Sequence, residues 1–426
     1  MIGRGDPQII LSNAEIGEIV QSALANTDLD NKRVLVLIPD GTRTMPMPLM
    51  FDLFEKYLTN RVSQLDYLVA LGTHQPMTDD QLSHLVGRNV VQGKAGSSMI
   101  YNHQWDDPST FAQIGTISAA EIHRISNGMM EEDVPVRLNK LILDYDHLII
   151  CGPVFPHEVV GFSGGNKYFF PGIAGSEIIN FTHWLGAIIT NYEIIGTGYT
   201  PVRAIIDKAA SFIDRPVTCF CLVVSHSGTS GLFYDNAQEA WKAAAELSAK
   251  THIVYVDQPY QKVISVMPSL YDDLWTAAKG MYKMEPVVAD GGEVIIFAPH
   301  INEVSYTHGK ILDEVGYHCR DFFLKQWDHY KHYPWGVLAH STHLCGVGKF
   351  DRETKSETKR IKVTLATGIP EERCNILGLG YLNPSIINLN DWLNKEDEGI
   401  LVVPRAGEML YRLKNAKIIN KLSERE

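Results

Sequence analysis

The chain has 426 residues and a formal net charge of −12, with 45% hydrophobic and 21% charged residues. This length exceeds what one hydrophobic core usually supports, and the composition is that of a globular protein, so more than one domain is predicted. The negative charge disfavours a nucleic-acid partner, which needs a basic surface, but a local arginine or lysine can still hold a small anion.

Strand and helix signals alternate along the first 150 residues. Buried strands are predicted at 33–40, 64–71 and 141–150, a helix over 49–58, and another helix from a capping box at Thr78. This alternation is typical of a parallel sheet wrapped by helices. The predicted fold class is therefore α/β, with two α/β domains whose sheets are mostly parallel.

Polar motifs follow three of these strands, at Asp40-Gly-Thr-Arg43, Gly72-Thr-His74 and Phe155-Pro-His157. Open α/β sheets bind their ligands outside the carboxyl ends of their strands, so the three motifs predict one site. Asp40 and Arg43 by themselves allow two interpretations. They form either a turn with a local ion pair, or a binding site in which Asp40 contacts a ribose hydroxyl and Arg43 binds a carboxylate.

The second half of the chain predicts further strands and a domain boundary near the Gln258-Pro-Tyr-Gln261 segment. We expect an N-terminal cofactor-binding α/β domain over 1–258 and a C-terminal α/β domain over 259–405. Residues 406–426 are predicted to form a helix that can pack back on the first domain. Lys279 is predicted at a helix end, where it would complement the helix dipole.

A glycine-rich turn between Phe155 and His183 carries the strongest chemical signal. It is not a P-loop, because G-x-x-x-x-G-K-[ST] would need glycine at Asn166 and serine or threonine at Tyr168. Two interpretations stay open: an ordinary tight loop, or an anion-binding nest of backbone amides at Ser163, Gly164 and Gly165.

Lys167 lies in this turn beside the aromatic residues 168–170. Either these rings lower the pKa of the Lys167 amine and make it nucleophilic, or the aliphatic stem of Lys167 covers the rings while its ammonium stays in water. His157 and His183 lack the spacing of a zinc site. His340 and His343 lie three residues apart, so they share a face if that segment is helical. They are then either a pair of metal ligands or structural residues.

Six cysteines are present and none forms a C-x-x-C pair. Cys219 and Cys221 would share one face of a strand, and buried, reduced thiols are expected. The N-terminus shows no signal peptide and no apolar run is long enough to cross a membrane, so a cytoplasmic protein without a membrane partner is expected.

The motifs in their order resemble the lactate racemase family, nickel-dependent racemases and epimerases of 2-hydroxyacids. The matching residues run from about position 30 to about position 300: Asp40-x-Thr-Arg43, Gly72-x-His74-x-Pro76-x-Thr78, His157-x-x-x-Gly-Phe-Ser-Gly-Gly-x-Lys167-x-x-x-Pro-Gly-Ile-Ala, His183 and Lys279-Gly-Met281. The resemblance implies two α/β domains with the active site in the cleft between them.

The resemblance also implies a nickel-pincer nucleotide, which is a pyridinium-3,5-bisthiocarboxylic acid mononucleotide that carries nickel. Lys167 would be its covalent tether and His183 the protein ligand to nickel. The residues expected near its nucleotide moiety are Asp40, Thr42, Ser163, Gly164 and Gly165. Its implied protein partners are the enzymes that synthesise the cofactor and insert nickel.

By the same resemblance His74 and His157 are the paired acid–base catalysts, and the substrate contacts are Arg43, Lys279, Thr276 and Trp335. Because a carbinol C–H is barely acidic, inversion by reversible hydride transfer to a cofactor is favoured over direct deprotonation. Each enantiomer needs its own base, and histidine titrates in the right range.

The chain departs from the lactate enzymes at three positions and in the region of His340 and His343. Thr276 stands where they have glutamine, Asn166 where they have arginine, and Gln75 where a basic residue is usual. The expected substrate is therefore a larger 2-hydroxyacid, a sugar acid or a sugar, inverted at C2. Two other functions stay open: a cofactor-binding protein without turnover, and a zinc-dependent hydrolase that uses His157 and His183.

Overall fold

The computed structural model describes residues 1–415, which divide into two compact units. The first unit comprises Met1–Phe155, Phe162–Ile179 and Arg203–Thr251, and the second comprises Pro156–Gly161, Asn180–Val202 and, as far as the structure describes it, residues 252–415. Two segments before residue 252 thus belong to the second unit. The predicted division, with a single boundary at residue 258, does not include these two segments.

The following elements are formed as far as residue 252. The strands are β1 (Ile2–Gly5), β2 (Arg33–Ile38), β3 (Gln64–Val69), β4 (Lys94–Ala95), β5 (Ser98–Asn102), β6 (Phe111–Ile117), β7 (Val134–Asn139), β8 (His147–Pro153), β9 (Pro156–His157), β10 (Gly161–Phe162), β11 (Val217–Ser225) and β12 (Gly228–Asp235). The helices are α1 (Asn13–Ala25), α2 (Met47–Leu58), α3 (Asp79–Val86), α4 (Ala119–Ile125), α5 (Ser176–Ile189), α6 (Asn191–Ile194), α7 (Pro201–Ala210) and α8 (Ala237–His252).

Within the described residues, the first unit is built on an eight-stranded sheet of order β1-β12-β11-β8-β2-β3-β5-β4. The run from β11 to β5 is parallel, and antiparallel strands lie only at the two ends. Every residue of β8 is buried, as expected for a central strand covered on both faces. Helix α2 buries one face, at Met47, Met50, Phe51, Phe54 and Leu58.

The elements from residue 253 onward are shorter. The strands are β13 (Ile253–Val256), β14 (Tyr260–Val266), β15 (Val288–Ala298), β16 (Gly348–Asp351), β17 (Ser356–Lys359), β18 (Lys362–Thr367), β19 (Gly380–Tyr381), β20 (Ile400–Val403) and β21 (Leu410–Leu413). The helices are α9 (Leu274–Ala277), α10 (Lys279–Tyr282), α11 (Gly309–Val315), α12 (Arg320–Lys325), α13 (Trp327–Tyr330), α14 (Trp335–Cys345) and α15 (Glu371–Ile376).

The second unit contains a parallel sheet of order β19-β18-β15-β14-β20. The α/β class with a large, mostly parallel sheet is therefore confirmed. The helix predicted over 406–426 is wrong where the structure describes it, because Leu410–Leu413 is strand β21, paired in parallel with β13. Residues 416–426 lie outside the described part of the chain.

Most predictions made from local sequence patterns agree with the structure. The capping box predicted at Thr78 is formed, with reciprocal hydrogen bonds between Thr78 and Gln81 at the start of α3. The strand predicted over 141–150 begins later, since residues Lys140–Asp144 form a 3₁₀ turn ahead of β8. All six cysteines are buried and free, as predicted. Among residues 1–415, no helix combines the length and apolar composition needed to cross a membrane.

Gly152 in β8 tests how tightly the site is packed. A β-carbon at this position would lie 1.6 Å from the hydroxyl oxygen of Tyr168, which stands beside Lys167. We expect Gly152→Ala to lower the free energy of unfolding by about 3 kcal/mol, because overpacking displaces a buried aromatic ring. Urea titration followed by circular dichroism measures it.

Gly17→Ala, in helix α1, is the matched control, since its β-carbon would meet the Leu53 side chain at an ordinary van der Waals distance of 3.6 Å. It should raise the free energy of unfolding by up to about 1 kcal/mol through helix propensity. Equal effects of the two substitutions would contradict the packing described for Gly152.

Candidate active site

Strands β8, β2 and β3 are parallel neighbours, so the loops after them begin at the same edge of the first sheet. Asp40 follows β2 and His74 follows β3. Their side chains meet there, with Asp40 Oδ2 2.5 Å from His74 Nδ1. The sequence placed both residues at this edge but assigned Asp40 to the nucleotide, and nothing in the local spacing indicated that Asp40 contacts a histidine.

The Asp40 loop stabilises an ionised carboxylate. Asp40 is 6% exposed, and its Oδ1 accepts hydrogen bonds from the backbone amide of Thr42 at 2.9 Å and from the Thr42 hydroxyl at 2.5 Å. Burial by itself would raise the pKa of the Asp40 carboxyl, but His74, Arg43 and Thr42 together hold that pKa well below its usual range. Asp40 is therefore a carboxylate at neutral pH and only accepts hydrogen bonds.

Arg43 extends this network. Its guanidinium donates to the Thr42 hydroxyl at 2.8 Å and lies 5.7 Å from the centroid of the Phe155 ring. The side chain is half-buried, so its remaining donors can reach an anionic ligand.

The glycine-rich turn holds its shape by internal hydrogen bonds. Gly164 and Gly165 have φ values of +81° and +59°, which side chains rarely adopt, and a 3₁₀ turn over Gly165–Tyr168 follows. The Ser163 amide donates to Phe155 O at 2.9 Å, and the Ser163 hydroxyl donates to Pro153 O at 3.0 Å. These groups stabilise the turn itself, and the nucleotide-binding role of Ser163, Gly164 and Gly165 stays a prediction.

Lys167 lies in the 3₁₀ turn and is half-buried between two buried neighbours, Asn166 and Tyr168. The Asn166 side chain donates to Asp207 at 2.9 Å, which anchors the turn to helix α7. The amide of Gly72 donates to Gly172 O at 2.9 Å and so ties the His74 loop to the same turn. Within the first unit the fold thus brings Asp40, Thr42, Arg43, His74 and Lys167 to one edge of the sheet.

The other predicted residues belong to the second unit. His157 is 7% exposed, and its Nδ1 accepts a hydrogen bond from the Val159 amide at 3.2 Å and lies 3.3 Å from a carboxylate oxygen of Glu158. His183 is half-buried on helix α5. The residue after it, Trp184, stacks on Trp327 with ring centroids 4.9 Å apart.

Lys279 begins helix α10 and is 9% exposed. Its ammonium donates to Thr276 O at 3.2 Å and lies 4.9 Å from the Tyr271 ring centroid. The Thr276 hydroxyl donates to Asp273, the N-cap of helix α9, at 2.8 Å. Trp335 packs on Trp327 with centroids 5.3 Å apart. The substrate-binding roles of Thr276 and Trp335 stay predictions.

Two buried histidines share a face of helix α14, as their spacing predicted. His340 is 7% exposed and stacks on Trp275, with ring centroids 3.9 Å apart and planes inclined by 20°. Burial lowers the pKa of His340, and positive neighbours, including His183 and Lys279, lower it further. His343 is 3% exposed, and burial lowers its pKa to about 4. Trp275, which directly precedes Thr276, was not singled out from the sequence, and its stacking on His340 is a tertiary contact.

Side chains that could hold a metal by themselves were sought across residues 1–415. No group of three or more histidine, cysteine, aspartate or glutamate residues lies together in a suitable arrangement there. A zinc hydrolase needs such a set.

Comparison with known proteins gives consistent matches. The family model of the lactate racemase N-terminal domain matches residues 10–195. Lactate racemase from Thermoanaerobacterium thermosaccharolyticum is 25% identical over 274 residues, which are 63% of this chain and 60% of that enzyme. Lactate racemase from Lactiplantibacillus plantarum is 28% identical over 152 residues, 35% of this chain and 32% of that enzyme. The matches thus span less than two thirds of either relative.

Solved structures agree over almost the whole chain. A crystal structure of a Thermotoga maritima protein has a TM-score of 0.88 and 31% identity, covering 96% of this chain and 99% of that one. The lactate racemase apoprotein from T. thermosaccharolyticum has a TM-score of 0.70 and 20% identity, covering 96% and 94%. At that lower identity the second likeness shows the fold alone.

The pKa of Asp40 predicts a pH-dependent contribution to stability. Because the folded-state pKa lies below the ordinary value, the carboxylate stabilises the folded state above about pH 4, and this contribution is lost as the pH falls further. We expect Asp40→Asn to lower the free energy of unfolding by about 1–3 kcal/mol at pH 7 and by less at pH 3.5. Urea titrations at both pH values measure this.

Asp52→Asn is the matched control, because Asp52 pairs with Arg88 at 2.8 Å while both side chains are about half exposed. Its effect should stay within about 1 kcal/mol. If Asp40→Asn were as mild as Asp52→Asn at pH 7, the stabilising role given to the Asp40 carboxylate would be wrong.

Proposed function

Because the chain belongs to the lactate racemase family, we propose that it is a racemase or epimerase that inverts the carbinol carbon of a 2-hydroxyacid. The observation that carries the proposal is the Asp40–His74 hydrogen bond at the edge of the parallel sheet. A buried carboxylate that orients a partly exposed imidazole is a common arrangement for moving a substrate proton.

The Asp40 contact decides which nitrogen of His74 can act as a base. An ionised carboxylate accepts hydrogen bonds, so Nδ1 of His74 carries the proton and donates it to Asp40. In the neutral ring Nε2 then holds the free electron pair. We assign to Nε2 the removal of the proton from the substrate hydroxyl, with Asp40 stabilising the imidazolium that results.

We assign the second proton transfer to His157, whose Nδ1 lies 3.2 Å from the Val159 amide nitrogen and 3.3 Å from a carboxylate oxygen of Glu158. For one enantiomer, neutral His74 takes the hydroxyl proton as hydride leaves the carbinol carbon, which becomes a planar carbonyl. When hydride returns to the opposite face, the imidazolium form of His157 gives a proton to the carbonyl oxygen. The other enantiomer reacts with the two histidines in exchanged roles.

The remaining residues hold the reactants. Arg43, half-buried beside Thr42, and Lys279, nearly buried beside Tyr271, are cations suited to a carboxylate and to the oxygen that develops negative charge. We propose that Lys167 and His183 hold a nickel-pincer nucleotide. When bound, this cofactor supplies an acceptor for hydride, which side chains lack. Asp40 positions His74 in this proposal, and its predicted place near the nucleotide stays a prediction.

The covalent link proposed at Lys167 is tested by producing the chain in the cytoplasm of an expression host, together with the enzymes that synthesise the cofactor and insert nickel. We expect an intact-mass increase on the wild-type protein and one nickel per chain by metal analysis. Lys167→Ala should lose both. Lys208→Ala, which removes another partly buried lysine of the first unit, should keep both. An adduct that persists in Lys167→Ala would overturn the tether assignment.

The acid–base role is tested separately on the loaded protein. His74→Ala should keep the mass adduct and the nickel but lower kcat for racemisation by about 10²–10⁴, since a positioned acid–base group contributes that much. Chiral chromatography of a 2-hydroxyacid measures the rate. Unchanged turnover in His74→Ala would exclude the proton transfer assigned to this residue.

A further inference from the structure

A further loop begins at the edge of the first sheet where Asp40 and His74 lie. Strand β5 is the parallel neighbour of β3, with Asn102 paired to Val69, so the segment after Asn102 leaves the sheet beside the His74 loop. None of its residues was predicted from the sequence to belong to the site. Two of its side chains, those of Asn102 and Trp105, nevertheless bond to the backbone of the His74 loop.

Asn102 holds the end of this loop, at Met77. Its Oδ1 accepts a hydrogen bond from the Met77 amide at 3.0 Å, and its Nδ2 donates to the Met77 carbonyl at 2.9 Å. The side-chain amide thus pairs with the main chain as a neighbouring strand would. Met77 also lies against the Asp40 loop, since a β-carbon at Gly41 would lie 3.6 Å from Met77 Cε. Asn102 therefore holds the residue that separates the two loops.

Trp105 bonds to His74 directly. Its indole N–H donates to the His74 carbonyl at 3.1 Å, while the His74 amide donates to the Leu71 carbonyl at 3.0 Å. Both backbone polar groups of His74 are therefore engaged. The first of these bonds comes from outside the loop, so the position of the His74 backbone depends on where Trp105 lies.

His103, between these two residues, anchors their segment. It is 0% exposed, its Nδ1 accepts from the Asn139 side-chain amide at 3.2 Å, and its ring meets the Phe111 ring edge-on with centroids 5.5 Å apart. The backbone amide of Asn139 donates to Ile173 O at 2.9 Å, within the glycine-rich turn. The segment from Asn102 to Trp105 is thus fixed to the core and connected to the turn that carries Lys167.

The Asp40 bond alone does not fix the His74 ring. A hydrogen bond to Nδ1 selects the tautomer, but the direction of Nε2 also depends on the position of the backbone that carries the ring. A displacement of about 1 Å in a reacting group can lower a rate about 100-fold. A single neutral hydrogen bond contributes little to the free energy of unfolding. Loss of the Trp105 or Asn102 bonds should therefore affect proton transfer more than folding.

We propose that Asn102 and Trp105 are positioning residues for the proton transfer assigned to His74. They hold the loop so that Nδ1 stays on Asp40 and Nε2 stays directed at the substrate hydroxyl. This inference rests on the proposed function. It goes further by assigning the placement of the proton acceptor to the segment that follows β5.

The kinetic test uses the nickel-loaded full chain and the 2-hydroxyacid that the wild type inverts fastest. Trp105→Phe removes the indole N–H but keeps an aromatic ring, and Asn102→Ala removes both bonds to Met77. Each should lower kcat about 10- to 100-fold and change KM less than about threefold, with the mass adduct and the nickel retained.

Matched controls come from two residues far from the loop in sequence. Trp392→Phe replaces a half-buried tryptophan of the second unit. Asn26→Ala removes an amide that donates to the Ser22 carbonyl at 2.7 Å at the end of helix α1. Both should leave kcat within about twofold, as expected of substitutions that leave the proton acceptor in place.

Nuclear magnetic resonance gives a readout that does not need turnover. In the full chain without cofactor, labelled with ¹⁵N-histidine, the two ring shifts of His74 report which nitrogen carries the proton, and His74→Gln identifies the signals. At about pH 8 the wild type and both controls should show the proton on Nδ1. Trp105→Phe and Asn102→Ala should show a mixture of tautomers. Thermal unfolding confirms that each variant is folded, and Asn102→Asp, which keeps the acceptor, replaces any variant that is not.

The outcomes separate the two proposals. Loaded wild type that inverts no 2-hydroxyacid would count against the proposed function, while the His74 shifts would still test the positioning. Unchanged His74 shifts in both folded variants would overturn the inference, even if kcat fell, because the residues would then act elsewhere. A wild-type His74 with its proton on Nε2 would contradict the Asp40 bond and the inference together.

Discussion

A single hydrogen bond, between Asp40 and His74, connects the fold to the proposed chemistry. It exists because β2 and β3 are adjacent and parallel, so the loops at their carboxyl ends lie side by side. The bond determines the tautomer of His74 and keeps Asp40 ionised despite burial. Any change that displaces either loop would disturb the proton acceptor before it disturbed the stability of the sheet.

The glycine-rich turn depends on residues far away in sequence. Arg203 is 1% exposed, and its guanidinium donates to Gly164 O at 3.1 Å and to Phe162 O, while lying 4.3 Å from the Trp241 ring centroid. Trp241 in turn donates to Ser163 O at 2.9 Å. A buried arginine that satisfies backbone carbonyls makes the turn rigid. Lys167 therefore projects from a fixed segment.

The sequence predicted the features that depend on local pattern. Apolar runs located β2, β3 and β8, and the positions after them located Asp40 and His74. The pairing of Asp40 with His74, the support of Ser163 by Trp241 and the bond from Trp105 to the His74 carbonyl arise from tertiary contacts, which local pattern does not contain. Basic, helix-like composition led to the helix predicted over 406–426, which is wrong at Leu410–Leu413, where pairing with β13 stabilises strand β21 instead.

The predicted substrate contact at Thr276 competes with the cap of a helix. In this chain the Thr276 amide and hydroxyl both bond to Asp273 and so complete the N-terminus of helix α9. Its side chain is 7% exposed and already engaged in that cap. The Thr276 hydroxyl proton is committed to Asp273, so a bond between this side chain and a substrate would have to be accepted by the Thr276 oxygen.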